Sequence, residues 1–538
     1  MKCAHLLASA LAFPLLLSVA QASTTQDAQN AHQDTQSPVL KAQTPDKPPG
    51  TIPEHKPAPV SGRDNGPVSA KTPVPGPTQS PDQQPTAIAP HTPAPVAEMH
   101  GEDALIARGH YLAIAADCAA CHTNPYGGKA YAGGYGIASP LGTIYSTNIT
   151  PSKSDGIGTY TLKQFTAALR DGIRGDGAHL YPAMPYTSYT HLSDVDVRAL
   201  YEYFMHGVQP VDHKPPVTHL PFPFGIRASM AFWNLLYLDH SPLKAPANAS
   251  DEVRRGQYLT IALAHCDTCH TPRGQLMAEK GRRPFAGASL ASWYAPNITN
   301  GPAGIADWSD NDLFQYLKTG DVPGRSQAAG PMAEAVEHSF QYLTDTDLHD
   351  IVSYVRTLEA LPDQGQTLAR DSFGKPGDRE AALRGLPMQD HGEWIYQSEC
   401  AACHRPDGKG SPDHYYPQLF HNSVTGANTP TNLIAAILLG VDRTVDGKRV
   451  YMPGFGPGSF VQTLSDHDVA DVANYVLRQF GNTSASVTPA DVALVRAGGP
   501  KPLIARLGPF IAPAMGVGGV AVVLIAALLL LRRRKRSI

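Results

Sequence analysis

Six cysteines in this 538-residue sequence fall into three pairs, and a histidine directly follows each pair. They read Cys118-Ala-Ala-Cys121-His122, Cys266-Asp-Thr-Cys269-His270 and Cys400-Ala-Ala-Cys403-His404. A zinc ribbon sets two such knuckles close together, whereas these pairs stand more than a hundred residues apart. A redox dithiol needs neither the histidine nor three copies. A disulfide framework gives no reason for one unit to recur unchanged. Covalent haem attachment uses every feature: each sulfur adds to one porphyrin vinyl group, one helical turn spans the pair, and the histidine meets the iron. The six cysteines with His122, His270 and His404 therefore read as three clamps for haem c. The seventh cysteine, Cys3, lies in residues 1–22, whose Lys2, apolar run and Ala20-Gln21-Ala22 end read as a cleaved secretory signal.

An electron-carrying haem takes a second axial ligand, commonly methionine, which raises the potential. The interval after the first clamp offers Met184, in LYPAMPY, and the interval after the third offers Met452, in YMPGFG. The second offers Met277 and Met332. Met277 follows its clamp too closely in sequence to reach the opposite face. Met332, in GPMAEA, stands as far beyond His270 as Met184 stands beyond His122, which favours Met332. Rival ligands are His179, His191, His338, His414 and His421; any of them would lower the potential.

These groups require elements to hold them. An apolar, helix-like run precedes each clamp: ALIARGHYLAIAAD, VRRGQYLTIALAH and HGEWIYQSE. A second pattern follows after a longer loop, as SDVDVRALYEYF, TDTDLHDIVSYV and SDHDVADVANYV. Ser193, Thr344 and Ser465 are expected N-caps, with Asp196, Asp347 and Asp468 completing capping boxes. Val197, Leu200 and Phe204 share a helical face, as do the matching residues of the other copies. Each repeat thus has a helix leading to its clamp and a closing helix that packs back on it, with Tyr203, Tyr354 and Tyr475 near the crossing. Repeats one and two also share Asn-Ile-Thr, at Asn148 and Asn297.

The expected boundaries are a signal at 1–22, a Pro-rich disordered spacer at 23–98, haem domains at 99–210, 251–362 and 386–482, and linkers at 211–250, 363–385 and 483–509. The spacer is too poor in apolar residues to offset chain entropy. The 211–250 linker is aromatic, with Phe222, Phe224, Phe232, Trp233 and Tyr237. It reads as core between two domains, or as an apolar contact for a partner or a quinone. Residues 510–531 read as a transmembrane helix and 532–538 as a basic cytoplasmic tail. The haem domains are then expected in the periplasm, held to the inner membrane by one C-terminal anchor. The net charge of −4 argues against nucleic acid as a partner.

The pairs CAACHTNP with LYPAMPY, CDTCHTPRG with GPMAEA, and CAACHRPDGKG with YMPGFG resemble the triheme cytochrome c subunits of membrane-bound periplasmic dehydrogenases of acetic acid bacteria and their relatives. The similarity runs from about Gly101 to Gly481. It implies a mainly α fold of three tandem class I cytochrome c-like domains, to which the apolar run adds the one C-terminal transmembrane helix. It also implies three covalent haems and no catalysis by this chain. A separate flavin, pyrroloquinoline quinone or molybdopterin subunit would oxidise an alcohol, aldehyde or sugar acid, and electrons would pass to ubiquinone. Two other functions fit the same residues: a peroxidase-like haem enzyme with one open iron site, or an electron donor to a terminal oxidase.

Overall fold

The computed structural model describes residues 101–363, 365–378 and 390–510. The expected signal, the spacer and the apolar run from 511 onward lie outside the described residues. Three repeats of one plan follow each other. In repeat one, α1 (Glu102–Ala115) leads to the one-turn clamp helix α2 (Cys118–His122), then to β1 (Gly136–Ser139) and β2 (Gly142–Tyr145). Helices α3 (Leu162–Asp171) and α4 (Tyr186–Tyr189) come next, before the closing helix α5 (Asp194–Glu202). The aromatic linker carries α6 (Ser229–Tyr237). Repeat two runs α7 (Asp251–Gln257), α8 (Cys266–His270), β3 (Ala286–Leu290), β4 (Trp293–Asn297), α9 (Asp310–Thr319), β5 (Asp321–Val322), β6 (Ser326–Gln327), α10 (Pro331–His338) and α11 (Asp345–Val355). Repeat three has a lead helix His391–Ile395, a clamp helix Ala401–His404, a helix Thr431–Leu439, β7 (Val441–Val445), β8 (Lys448–Met452) and a closing helix Asp466–Phe480.

The expected mainly α fold gains one feature and loses another. Helices dominate, but four two-stranded antiparallel sheets are also present. The β7–β8 hairpin has a physical cause: Asp446 and Gly447 both take positive φ, 49° and 70°, which a two-residue turn between right-twisted strands demands. Second, among the described residues no helix is long and apolar enough to cross a membrane. The segment read as an anchor lies outside the described residues from 511 on, so the transmembrane helix has no support in the fold.

Each lead helix crosses its closing helix at a glycine. A Cβ built on Gly109 would stand 2.0 Å from the Ala199 carbonyl oxygen, on Gly256 1.8 Å from that of Asp350, and on Gly392 2.2 Å from that of Asp471. Tyr203, Tyr354 and Tyr475 are buried beside these same glycines, as expected. Gly256→Ala must push α7 off α11. That is expected to cost about 3 kcal/mol, the upper range for overpacking, read as a fall in the denaturation midpoint.

Repeats one and two share one contiguous core, from Leu112, Val197 and Leu200 to Leu259, Leu348 and Ile351. Repeat three packs around its own, with Ile395, Tyr396, Val469, Val472 and Phe480. The linker helix α6 divides its residues. Trp233 is buried against Tyr186 and Ala278, bridging repeats one and two, while Phe232, Leu235 and Leu236 face outward.

Candidate haem clamps

The clamps of repeats one and two have one construction. In repeats one and two the residue before the first cysteine is left-handed, Asp117 at φ 50° and His265 at φ 39°. This kink ends the lead helix and restarts the chain as a separate turn carrying both cysteines and the histidine. Repeat three reaches the same place differently: a π-helical turn, Tyr396–Cys400, runs straight into the clamp. Aspartate and histidine enter the left-handed region more readily than most residues, so Asp117 and His265 carried a weak local signal that went unread.

Each clamp histidine is oriented by a backbone carbonyl. Nδ1 lies 2.7 Å from the Thr147 oxygen in His122, 2.7 Å from the Pro296 oxygen in His270, and 3.0 Å from the Pro417 oxygen in His404. A carbonyl only accepts, so Nδ1 carries the proton and Nε2 keeps its lone pair. Burial lowers the pKa of all three imidazoles, which keeps them neutral at pH 7. A neutral imidazole with a fixed Nδ1–H and a free Nε2 is what iron ligation requires.

The side chains of Cys118, Cys121, Cys266, Cys269, Cys400 and Cys403 are each partly buried. Burial pushes Cys118, Cys121 and Cys400 up to about 12. A redox dithiol works through a lowered thiol pKa, whereas burial raises both thiols of the first two pairs. Two unpaired sulfurs on one helical turn beside an Nε2-presenting histidine fit a covalently held haem.

The Asn-Ile-Thr loops set the carbonyls that orient two of the histidines. Asn148 and Asn297 are 3% and 0% exposed. Asn297 Nδ2 donates to the Leu361 oxygen at 2.8 Å, and its Oδ1 accepts from Thr299 N at 2.8 Å and Thr299 Oγ1 at 2.7 Å. Asn148 makes the matching bonds to Val211 and Thr150. The residue just before each asparagine, Thr147 or Pro296, supplies the histidine's acceptor. Asn297→Ala is expected to cost about 2–3 kcal/mol, because buried partners lose their bonds. It should also shift the second haem's potential while leaving the third unchanged, as a spectroelectrochemical titration would show.

The methionines fall at three different kinds of position. Met452 ends β8, paired with Val441 across the hairpin. Met184 lies just before α4 and packs against two apolar clusters. Met332 is the second residue of α10 and packs on the core shared by repeats one and two. Its rival Met277 is held in a tight turn, its oxygen accepting from Arg273 Nη1 at 2.8 Å and its nitrogen donating to the Gly274 oxygen at 3.1 Å. Among the rival histidines, His421 Nδ1 is already engaged with the Asp371 oxygen at 3.2 Å.

A family model described as cytochrome c matches residues 106–207, 253–359 and 389–479, one clamp in each span. A fructose dehydrogenase cytochrome subunit of Gluconobacter japonicus is 50% identical over 445 residues, covering 80% of this chain and 91% of that one. A gluconate 2-dehydrogenase cytochrome c subunit of Pantoea cypripedii is 39% identical over 417 residues, 74% of this chain and 91% of the other. The cytochrome c subunit of an alcohol dehydrogenase (quinone) of Gluconacetobacter polyoxogenes is 38% identical over 408 residues, 73% and 85% of the two chains.

Proposed function

This chain belongs to the cytochrome c family, and from that premise we propose a periplasmic three-haem relay that takes electrons from a separate dehydrogenase subunit and delivers them to ubiquinone. The chain is an electron-transfer subunit rather than a catalytic one, as its relatives are named cytochrome subunits of dehydrogenases. One observation carries the three-haem reading. The same clamp, with its histidine Nδ1 committed to a backbone carbonyl, is built three times. Haem c, when bound, supplies the one-electron chemistry. The cysteine pairs would attach the haems, and His122, His270 and His404 with Met184, Met332 and Met452 would hold the irons.

The 50% identity to a fructose dehydrogenase subunit favours a sugar-oxidising partner. Delivery to quinone at the membrane surface is supported by the relative named for a quinone-linked alcohol dehydrogenase. Exposed apolar side chains at Phe232, Leu235 and Leu236 give that surface a candidate contact. The test is purification of the complex from membranes. Three covalent, low-spin haems per chain, a co-purifying catalytic subunit and substrate-dependent reduction of a ubiquinone analogue are expected. A haem count other than three overturns the reading, and a high-spin iron in the resting protein would redirect it to a peroxidase.

A further inference from the structure

Repeats one and two are joined by a reciprocal contact. Arg-Gly-x-Tyr occurs once in each lead helix, at Arg108–Tyr111 and Arg255–Tyr258. Tyr258 of repeat two donates to Asp196 Oδ2 of repeat one at 2.5 Å, and Tyr111 of repeat one donates to Asp347 Oδ2 of repeat two at 2.5 Å. Each tyrosine oxygen also accepts the N-cap amide of the opposite closing helix, from Ser193 N at 3.1 Å and Thr344 N at 3.2 Å. Each carboxylate is held in its own repeat by an arginine: Arg108 Nε to Asp196 at 2.8 Å and Arg255 Nε to Asp347 at 3.0 Å. Asp196 and Asp347 are both buried. Burial and the carboxylate bond push Tyr111 and Tyr258 up to about 12, so both hydroxyls stay protonated donors at neutral pH.

The contact brings the two clamps together. Ser188 on α4 of repeat one lies 3.5 Å from both Asp267 and Thr268 in the second clamp. In return α10, the helix of Met332, packs on the first clamp helix. Repeat three supplies the contrast. There His391 and Trp394 replace the arginine and tyrosine, and Asp468 turns back to its own N-cap amide at 2.9 Å.

We propose that Tyr111 and Tyr258 are positioning residues whose crossed hydrogen bonds fix repeats one and two, clamp against clamp, as a two-haem module. This rests on the electron-transfer reading above. The test uses the full haem-loaded chain carrying Tyr111→Phe, Tyr258→Phe or both. Each single change should speed amide exchange at the opposite N-cap, Thr344 for the first and Ser193 for the second. In the double variant, pulse-radiolytic electron exchange between the first two haems should slow by about tenfold, as small displacements of paired groups do. Their two potentials should shift together, and the third should stay. Unchanged exchange and potentials in a double variant that retains three haems would overturn the proposal and leave the relay intact. A parent chain without three haems would instead defeat the relay itself. If the double variant fails to load, the single changes decide: a slowing in each supports the lock, and parental rates in both refute it.

Discussion

Replacing Cys400 and Cys403 together by alanine is expected to remove one covalent haem and unfold the third repeat, while the first two repeats stay folded and loaded. The asymmetry follows from the cores. Repeat three packs around residues of its own, and Cys400 and Ala401 lie against that core. A haem tethered to the chain stabilises the fold by the apolar surface it buries and by the ligand bonds it makes only there. Loss of that group therefore falls on repeat three. The same change at Cys118 and Cys121 should spread further, since Leu112 and Leu259 belong to one core. Intact-mass measurement should show one porphyrin fewer, and limited proteolysis should cut between about residues 390 and 480 in the first variant only. An unchanged porphyrin count would remove repeat three from the relay.

The clamps and the two helices of each repeat were legible because their signals are local. Ser193, Thr344 and Ser465 cap as read, each accepting the amide three residues on. The capping boxes were misread at Asp196 and Asp347. Only Asp468 bonds its own N-cap amide, because the other two carboxylates are taken by Tyr258 and Tyr111 from the neighbouring repeat. A short-range pattern says nothing about a partner that arrives from more than 60 residues away. The same limit hid the glycines at the helix crossings. The Asp446-Gly447 turn, by contrast, was a local signal that went unread. The linker was legible in composition but not in outcome: Trp233 became core, and its neighbours on α6 did not.

Met452→Leu is expected to lower the potential of the third haem by roughly 0.1–0.3 V, a part of the ~0.8 V that axial ligation spans, with little loss of stability. The site allows this separation. Met452 sits where the hairpin holds its backbone, paired with Val441, and a Cβ on Gly440 would come within 2.4 Å of its carbonyl oxygen. Leucine fills nearly the same volume, so the fold should lose less than about 1.5 kcal/mol. What it removes is the sulfur. The absorption band tied to the iron–methionine bond should vanish for one haem in three, and spectroelectrochemical titration should move one wave alone. Repeat two gives the sharper version. Met332→Leu should move the second wave, whereas Met277→Leu should not, because the turn around Met277 is bound into Arg273 beside the clamp. A shift with Met277→Leu and none with Met332→Leu would exchange the two assignments. It would then leave the α10 helix with packing on the first clamp as its only part in the relay.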